Sequence, residues 1–287
     1  MLEIKTFFDK ESGTLTHLVL NPKNRDAVLI DPVMDFHVPT FSTSSKSADE
    51  VLQFCREKEL RVHFVLETHV HADHLSGSQF IKAAFPKAKL AIGQEITEVQ
   101  SHFAEFYDLG PSFPRDGSQF DLLYKTGSEL DAHSFSVKPL HTPGHTRADY
   151  TLQVDGHAFT GDILFAPDLG TGRCDFPGGS AKALYESVKQ TLYTLPPETI
   201  LHPAHDYPEG RELRTAVPLK EQMKSNVRLN AQTTEEEFLA FRKKRDQELA
   251  APRLILPSLF VNIHGGRLPE KRKNGRAYVS IPFNSKL

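Results

Sequence analysis

Four groups able to bind a metal fall within six residues in Thr68-His69-Val70-His71-Ala72-Asp73-His74, an H-x-H-x-D-H cluster. It directly follows Val62-His63-Phe64-Val65-Leu66, a short apolar run of the kind that forms a buried strand. Chance would place about 0.002 such clusters in a chain of this length. Neutral imidazole and carboxylate suit zinc or iron, yet four of them this close in sequence cannot all face one ion. A turn at the end of a strand lets His69 and His71 face one position while Asp73 and His74, rounding into a helix, face a second. The chain must therefore build a buried strand that ends in a tight turn beside a cavity.

Three further donors stand just past other predicted strand ends, where folds of alternating strands and helices carry their functional loops. His145 lies in Thr142-Pro143-Gly144-His145-Thr146, after a strand ending at Leu140. Asp162 lies in Thr160-Gly161-Asp162, after the second strand of a hairpin (Tyr150 to Val154 and His157 to Thr160) whose turn is Asp155-Gly156. His205 follows a strand over Ile200 to His202 in His202-Pro203-Ala204-His205-Asp206-Tyr207. Singly each is weak; in this order after the cluster they form a set.

The rest of the chain is read around that set. Thr14 to Leu20 and Ala27 to Asp31 are β-rich runs, and residues 33–47 read as a polar loop. Ser47 and Glu50 have capping-box spacing for a helix to about Glu59, with Cys55 on its core face, and a second helix is expected from near His74. Hairpins mixed with parallel-type crossovers suit two stacked sheets with outer helices. Residues 1–215 form the expected catalytic unit. Residues 216–287 form a C-terminal extension packing over its active-site side, with helices over Leu219 to Leu229 and Thr234 to Leu249 and an extended tail from Pro252. The second of these helices opens with a Thr234/Glu237 capping box.

Composition narrows the function classes. A formal charge of -3 gives no field to gather nucleic acid, and no apolar run is long enough to span a membrane. Two cysteines without CxxC spacing fit a reducing compartment, and the N-terminus has no signal-peptide pattern, so a cytoplasmic enzyme is expected. A closed structural metal site is disfavoured by seven donor-type groups, two of them carboxylates.

In this order the motifs resemble the metallo-β-lactamase superfamily over roughly residues 10–210. The resemblance implies an α+β fold, an αββα sandwich of two mixed sheets. In dinuclear members the pattern assigns His69, His71 and His145 to one metal and Asp73, His74 and His205 to the other, with Asp162 bridging. The donor set taken alone suits hydrolysis by metal-activated water. Finer motifs are similar to the glutathione persulfide dioxygenases, in the bacterial β-lactamase-hydrolase-like branch: Gly170-Thr171-Gly172-Arg173-Cys174-Asp175-Phe176, Pro203-Ala204-His205-Asp206-Tyr207, Lys224-Ser225-Asn226-Val227-Arg228-Leu229 and Val261-Asn262-Ile263-His264-Gly265-Gly266. That resemblance implies one Fe(II) per chain on His69, His145 and Asp162, with His71, Asp73, His74 and His205 around them orienting ligands and holding water. It further implies oxidation of glutathione persulfide by O2 and water to sulfite and glutathione, and a homodimer. Glutathione carries two carboxylates, which makes Arg173, Lys224 and Arg228 the expected cationic partners and Asn226 a partner for its peptide groups. Tyr207 is read as supporting the site or packing beside it, and Cys174 as structural. The alternative is a dinuclear zinc thioester hydrolase of the glyoxalase II type.

Overall fold

The computed structural model of the chain describes residues 1–283. The strands are β1 (Glu3–Asp9), β2 (Thr14–Leu20), β3 (Asp26–Ile30), β4 (Val33–His37), β5 (Ser42–Ser44), β6 (Arg61–Leu66), β7 (Leu75–Ser76), β8 (Lys89–Gly93), β9 (Leu122–Tyr124), β10 (Leu130–Asp131), β11 (Ser136–His141), β12 (Tyr150–Val154), β13 (His157–Gly161), β14 (Ile200–Pro203) and β15 (Val217–Pro218). The helices are α1 (Lys46–Glu57), α2 (Ser78–Ala84), α3 (Ile96–Phe106), α4 (Ala181–Glu186), α5 (Leu219–Ser225), α6 (Glu235–Glu248) and α7 (Ile255–Ile263).

Strands buried on both faces dictate the layering. In β3, Ala27 and Leu29 join one apolar cluster while Val28 and Ile30 join another, the two-residue alternation of a strand sandwiched between layers. The first sheet runs β1-β2-β3-β6-β8-β9 and the second β10-β11-β12-β13-β14-β15. Each mixes parallel and antiparallel pairs, with β3–β6, β6–β8, β8–β9 and β13–β14 parallel. Between the sheets lie Val28, Ile30, Phe64 and Leu66 from one side and Val137, Leu152, Val154 and Phe159 from the other. Outside the first sheet α1, α3 and α7 close a second core, and outside the second sheet α4 and α6 close a third around Leu184 and Phe238. This is the expected αββα sandwich.

Several local expectations change. Residues 33–47 hold the β4–β5 hairpin, which with β7 makes a small third sheet, because Asp35 is used as an anchor: it accepts from the Ser47 amide and hydroxyl. That bond takes the Ser47 side chain, so no capping box forms and α1 starts at Lys46. The helix expected near His74 begins at Ser78, after β7 has paired with β4. The helix expected to reach Leu229 stops at Ser225, since the Asn226 side chain turns back to accept from the Arg228 and Leu229 amides. The tail expected as extended chain contains α7, whose Pro257 sits in the first turn, where a missing N–H is harmless. The part of that expectation falling on residues 284–287 lies outside the described residues. The Thr234/Glu237 capping box is present as read.

Two histidines are buried in the core, His17 on β2 of the first sheet and His202 on β14 of the second. His17 Nε2–H donates to the Pro203 carbonyl at 2.8 Å, and Nδ1 accepts from the Thr6 hydroxyl at 3.0 Å. His202 stacks on Phe159 with ring centroids 4.7 Å apart. Burial pushes His17 down to about 4 and His202 to about 2. The unfolded chain takes up these protons near pH 6.5 while the folded chain does not, so stability is full above that pH and falls as pH drops towards 4. His17 alone accounts for a loss of about 3 kcal/mol over that window. Urea midpoints measured at about pH 7 and about pH 4.5 should fall further for the parent than for His17→Gln; equal falls would remove His17 from the account.

Candidate metal centre

Strand ends converge at one edge of the sandwich. The β6 end delivers His69, the turn after β11 delivers His145, the β13 end delivers Asp162 and the β14 end delivers His205. The sheets are stitched together there by Tyr150 N–H donating to the Thr68 carbonyl at 3.0 Å and Leu15 N–H to Ala204 at 2.7 Å. Close approach of the chain is part of the design: a Cβ on Gly172 would lie 2.0 Å from the Asp162 carbonyl oxygen, so the Gly170–Phe176 loop can reach the site only with glycine there.

One ligand-type atom each from His69, His145 and Asp162 lies within 4.8 Å of the others, and the same holds for Asp73, Asp162 and His205. His145 Nε2 is 3.5 Å and His69 Nε2 3.9 Å from Asp162 Oδ2, and His205 Nε2 is 3.3 Å from Asp162 Oδ1. The tautomers follow from the bonding. His145 Nδ1 lies 2.8 Å from the Arg173 carbonyl, which can only accept, so Nδ1 carries the proton. Thr68 spends its hydroxyl proton on Asp31 Oδ2 at 2.8 Å and therefore accepts from His69 Nδ1–H at 3.0 Å. Both rings thus aim a bare Nε2 lone pair inward. Burial and the neighbouring imidazoles His71 and His145 hold His69 well below its ordinary value, which keeps it neutral.

His69 Nε2, His74 Nε2 and Asp162 Oδ1 are buried and have no hydrogen-bond partner among the described residues. Leaving such atoms unsatisfied costs about 1–3 kcal/mol each, and lone pairs on imidazole and carboxylate are what a cationic metal satisfies. The donor set therefore fits a metal ion.

His71 behaves differently. Its Nε2 lies 3.0 Å from Asp31 Oδ1 and 3.4 Å from Glu67 Oε2. Although burial opposes it, these two carboxylates raise His71 well above its ordinary value. Asp31 and Glu67 were not singled out from the sequence; Asp31 follows an apolar strand in Ile30-Asp31-Pro32, and its strand-end position matches that of the other donors. Glu67 is held by the Ser76 and Ser78 hydroxyls.

Beside the donors opens a cleft of about 1220 Å³, lined by Asp73, His74, His145, Asp162 and His205 and roofed by α6 and the segment Ala250–Leu254. Arg173 and Arg228 line it, while Lys224 and Asn226 do not. Lys224 stands exposed on α5. Asn226 is fully buried, its amide donating to Gly170 and Gln222. Arg173 has its guanidinium occupied by a fork to Asp175 at 2.6 and 2.7 Å and by the Ala250 carbonyl at 2.7 Å. Arg228 meets no carboxylate at ion-pair distance among the described residues; its guanidinium carbon lies 4.3 Å from the Phe241 ring centroid. Tyr207 lies parallel to His205 with centroids 5.8 Å apart and faces the cleft. Cys174 is buried in the apolar cluster of the second sheet's helices, and burial pushes its thiol up.

Residues 12–205 match the Metallo-beta-lactamase superfamily, and the chain belongs to it. Among proteins it resembles, a probable metallo-hydrolase of Burkholderia pseudomallei is 40% identical, with 99% of this chain and 100% of that protein covered. Glyoxylase B2 of Dictyostelium discoideum is 39% identical over 98% of this chain and 97% of that protein. Persulfide dioxygenase ETHE1 of Homo sapiens is 32% identical over 71% of this chain and 68% of that protein. The crystal structure of ETHE1 from Myxococcus xanthus superposes with a TM-score of 0.74 at 30% identity, over 92% of this chain and 100% of that one.

His69→Ala and Asp162→Ala should each bring metal content down to background by elemental analysis while circular dichroism remains that of the parent. Arg173→Ala, which frees the loop that holds His145, should also lose metal; retention of full occupancy would make Arg173 a substrate contact instead.

Proposed function

We propose that the chain is a persulfide dioxygenase that holds one Fe(II) on His69, His145 and Asp162 and converts glutathione persulfide, O2 and water into glutathione, sulfite and two protons. The observation that carries this reading is the orientation of His71. With His71 Nε2 beside Asp31 and Glu67, His69, His145 and Asp162 form a group of two imidazoles and one carboxylate, a set that would leave a ferrous ion with open positions, while Asp73 and His205 stand on the other side of Asp162. The similarity to persulfide dioxygenase ETHE1 supports it. When bound, the iron supplies the activation of dioxygen.

The protein's own residues bind, orient and exclude water. Thr68 and the Arg173 carbonyl fix the two imidazoles so that Nε2 faces inward. Phe165, Phe176 and Leu249 give the cleft apolar walls close to the donors. Arg228, over the Phe241 ring and without a carboxylate partner among the described residues, is a cation available to a substrate carboxylate. Asp73 and His205 sit beside Asp162, and His74 beside Asp73, where in this reading they orient it and hold water. In this reading residues 1–215 are the catalytic unit, and the C-terminal extension roofs its cleft.

A dinuclear zinc thioester hydrolase is the second reading. It is favoured by the grouping of Asp73, Asp162 and His205, with His205 Nε2 3.4 Å from Asp73 Oδ2, and by the similarity to glyoxylase B2. Anaerobic purification, metal analysis and oxygen uptake on adding glutathione persulfide separate the two. One iron per chain with oxygen consumption and sulfite release is expected; two zincs, no oxygen uptake and turnover of S-lactoylglutathione would replace the dioxygenase with the hydrolase. Under the first outcome Arg228→Ala should raise KM about tenfold with kcat little changed.

A further inference from the structure

The turn that carries the donor cluster is held from outside by a residue far along the chain. Asn262, on α7, is 5% exposed. Its amide nitrogen donates to the His71 carbonyl at 2.8 Å and to the His74 carbonyl at 2.9 Å, and its oxygen accepts from the Ser76 amide at 2.8 Å. Both protons of the carboxamide are used, and all three partners are backbone groups of the turn that runs from His71 to Ser76. One side chain therefore bridges the two ends of the segment containing Asp73 and His74.

The helix end that presents Asn262 is itself locked. Gln100 on α3 donates to the Ile263 carbonyl at 2.9 Å and to Gln119 at 2.7 Å, and its own oxygen accepts from the Gly117 amide at 2.9 Å. Gln79 donates to the Gly265 carbonyl at 2.6 Å. The helix closes with Gly265 N–H to the Asn262 carbonyl and Gly266 N–H to the Val261 carbonyl, the Schellman pattern. Gly265 has φ +65, and a Cβ there would stand 2.8 Å from the Gln119 carbonyl oxygen, so glycine is needed both for the backbone and for the contact. The family match ends at residue 205, well before this device.

We propose that Asn262 is a positioning residue for the metal centre: it fixes the His71 and His74 carbonyls and so sets the path of the turn from which Asp73 and His74 project, directly after His69. It touches no donor atom and acts only through that backbone. The inference rests on the donor cluster being a metal centre, but on neither choice of reaction.

The test uses Asn262→Asp, which keeps the shape and loses both donated protons, and Asn262→Leu, which loses all three bonds. Metal-free and metal-loaded forms of the full chain are compared, with Co(II) as the probe because its visible absorption reports ligand geometry. Both variants should bind Co(II) about 10–100-fold more weakly than the parent and show an altered visible spectrum, a loss greater than the fall in metal-free stability accounts for. Parent-like affinity and spectrum would overturn the proposal, as would a loss of affinity matched by an equal loss of metal-free stability. A parent that binds no Co(II) would instead end the metal reading itself. Should neither variant fold, the parent decides. Its Asn262 side-chain amide protons should exchange slowly with solvent and shift on adding Zn(II) in 1H–15N spectra; fast exchange or no shift would overturn the role.

Discussion

Everything at the working edge of this protein depends on keeping imidazole lone pairs bare inside a dry interior. A buried histidine ordinarily settles both ring nitrogens in hydrogen bonds, as His17 does between Thr6 and Pro203. At the metal centre the protein satisfies one nitrogen and withholds any partner from the other. It does so with groups whose own protons are already committed: Thr68 must accept because its hydroxyl is given to Asp31, and the Arg173 carbonyl has no proton to give. Asp31 thereby has two tasks, fixing the tautomer of His69 through Thr68 and standing 3.0 Å from His71 Nε2.

The sandwich supplies the rigidity this requires. Donors that arise at the ends of β6, β13 and β14 inherit the registers of two sheets, and the sheets are joined at that edge by backbone bonds rather than by side chains alone. An apolar core fills the space between the layers, and α6 roofs the cleft beside the donors. Charge follows the same economy. Arg173 and Arg242 lie along the cleft but are neutralised by Asp175 and Asp246, whereas Arg228 and Lys244 have no carboxylate at ion-pair distance among the described residues.

Much of this was legible in the sequence, for identifiable reasons. The H-x-H-x-D-H cluster, the Asp155-Gly156 hairpin and the Thr234/Glu237 cap are local patterns, and local patterns survive folding. The donor residues could be named because each stands at a strand end that apolar periodicity reveals. What periodicity cannot show is where a ring turns. His71 looks equivalent to His69 in the chain, and only the position of Asp31 and Glu67 in space separates their roles. Asn226 and Lys224 resembled substrate contacts by motif, yet one is consumed in ending α5 and the other points to solvent. The helix α7 was hidden by its own composition, since proline in the first turn and glycines at the end read locally as loop.

The spacing of the donors along the chain has a thermodynamic consequence. His69, His145 and Asp162 are brought together only by the finished sandwich, so an unfolded chain offers an ion nothing comparable to that corner. A ligand that binds the folded form alone adds RT ln(1 + [L]/Kd) to its stability, about 2.7 kcal/mol at a free concentration a hundredfold above Kd. A metal held at that corner would thus couple the folded fraction of the chain to the free concentration of that metal, and scarcity would leave more of the chain open to proteolysis.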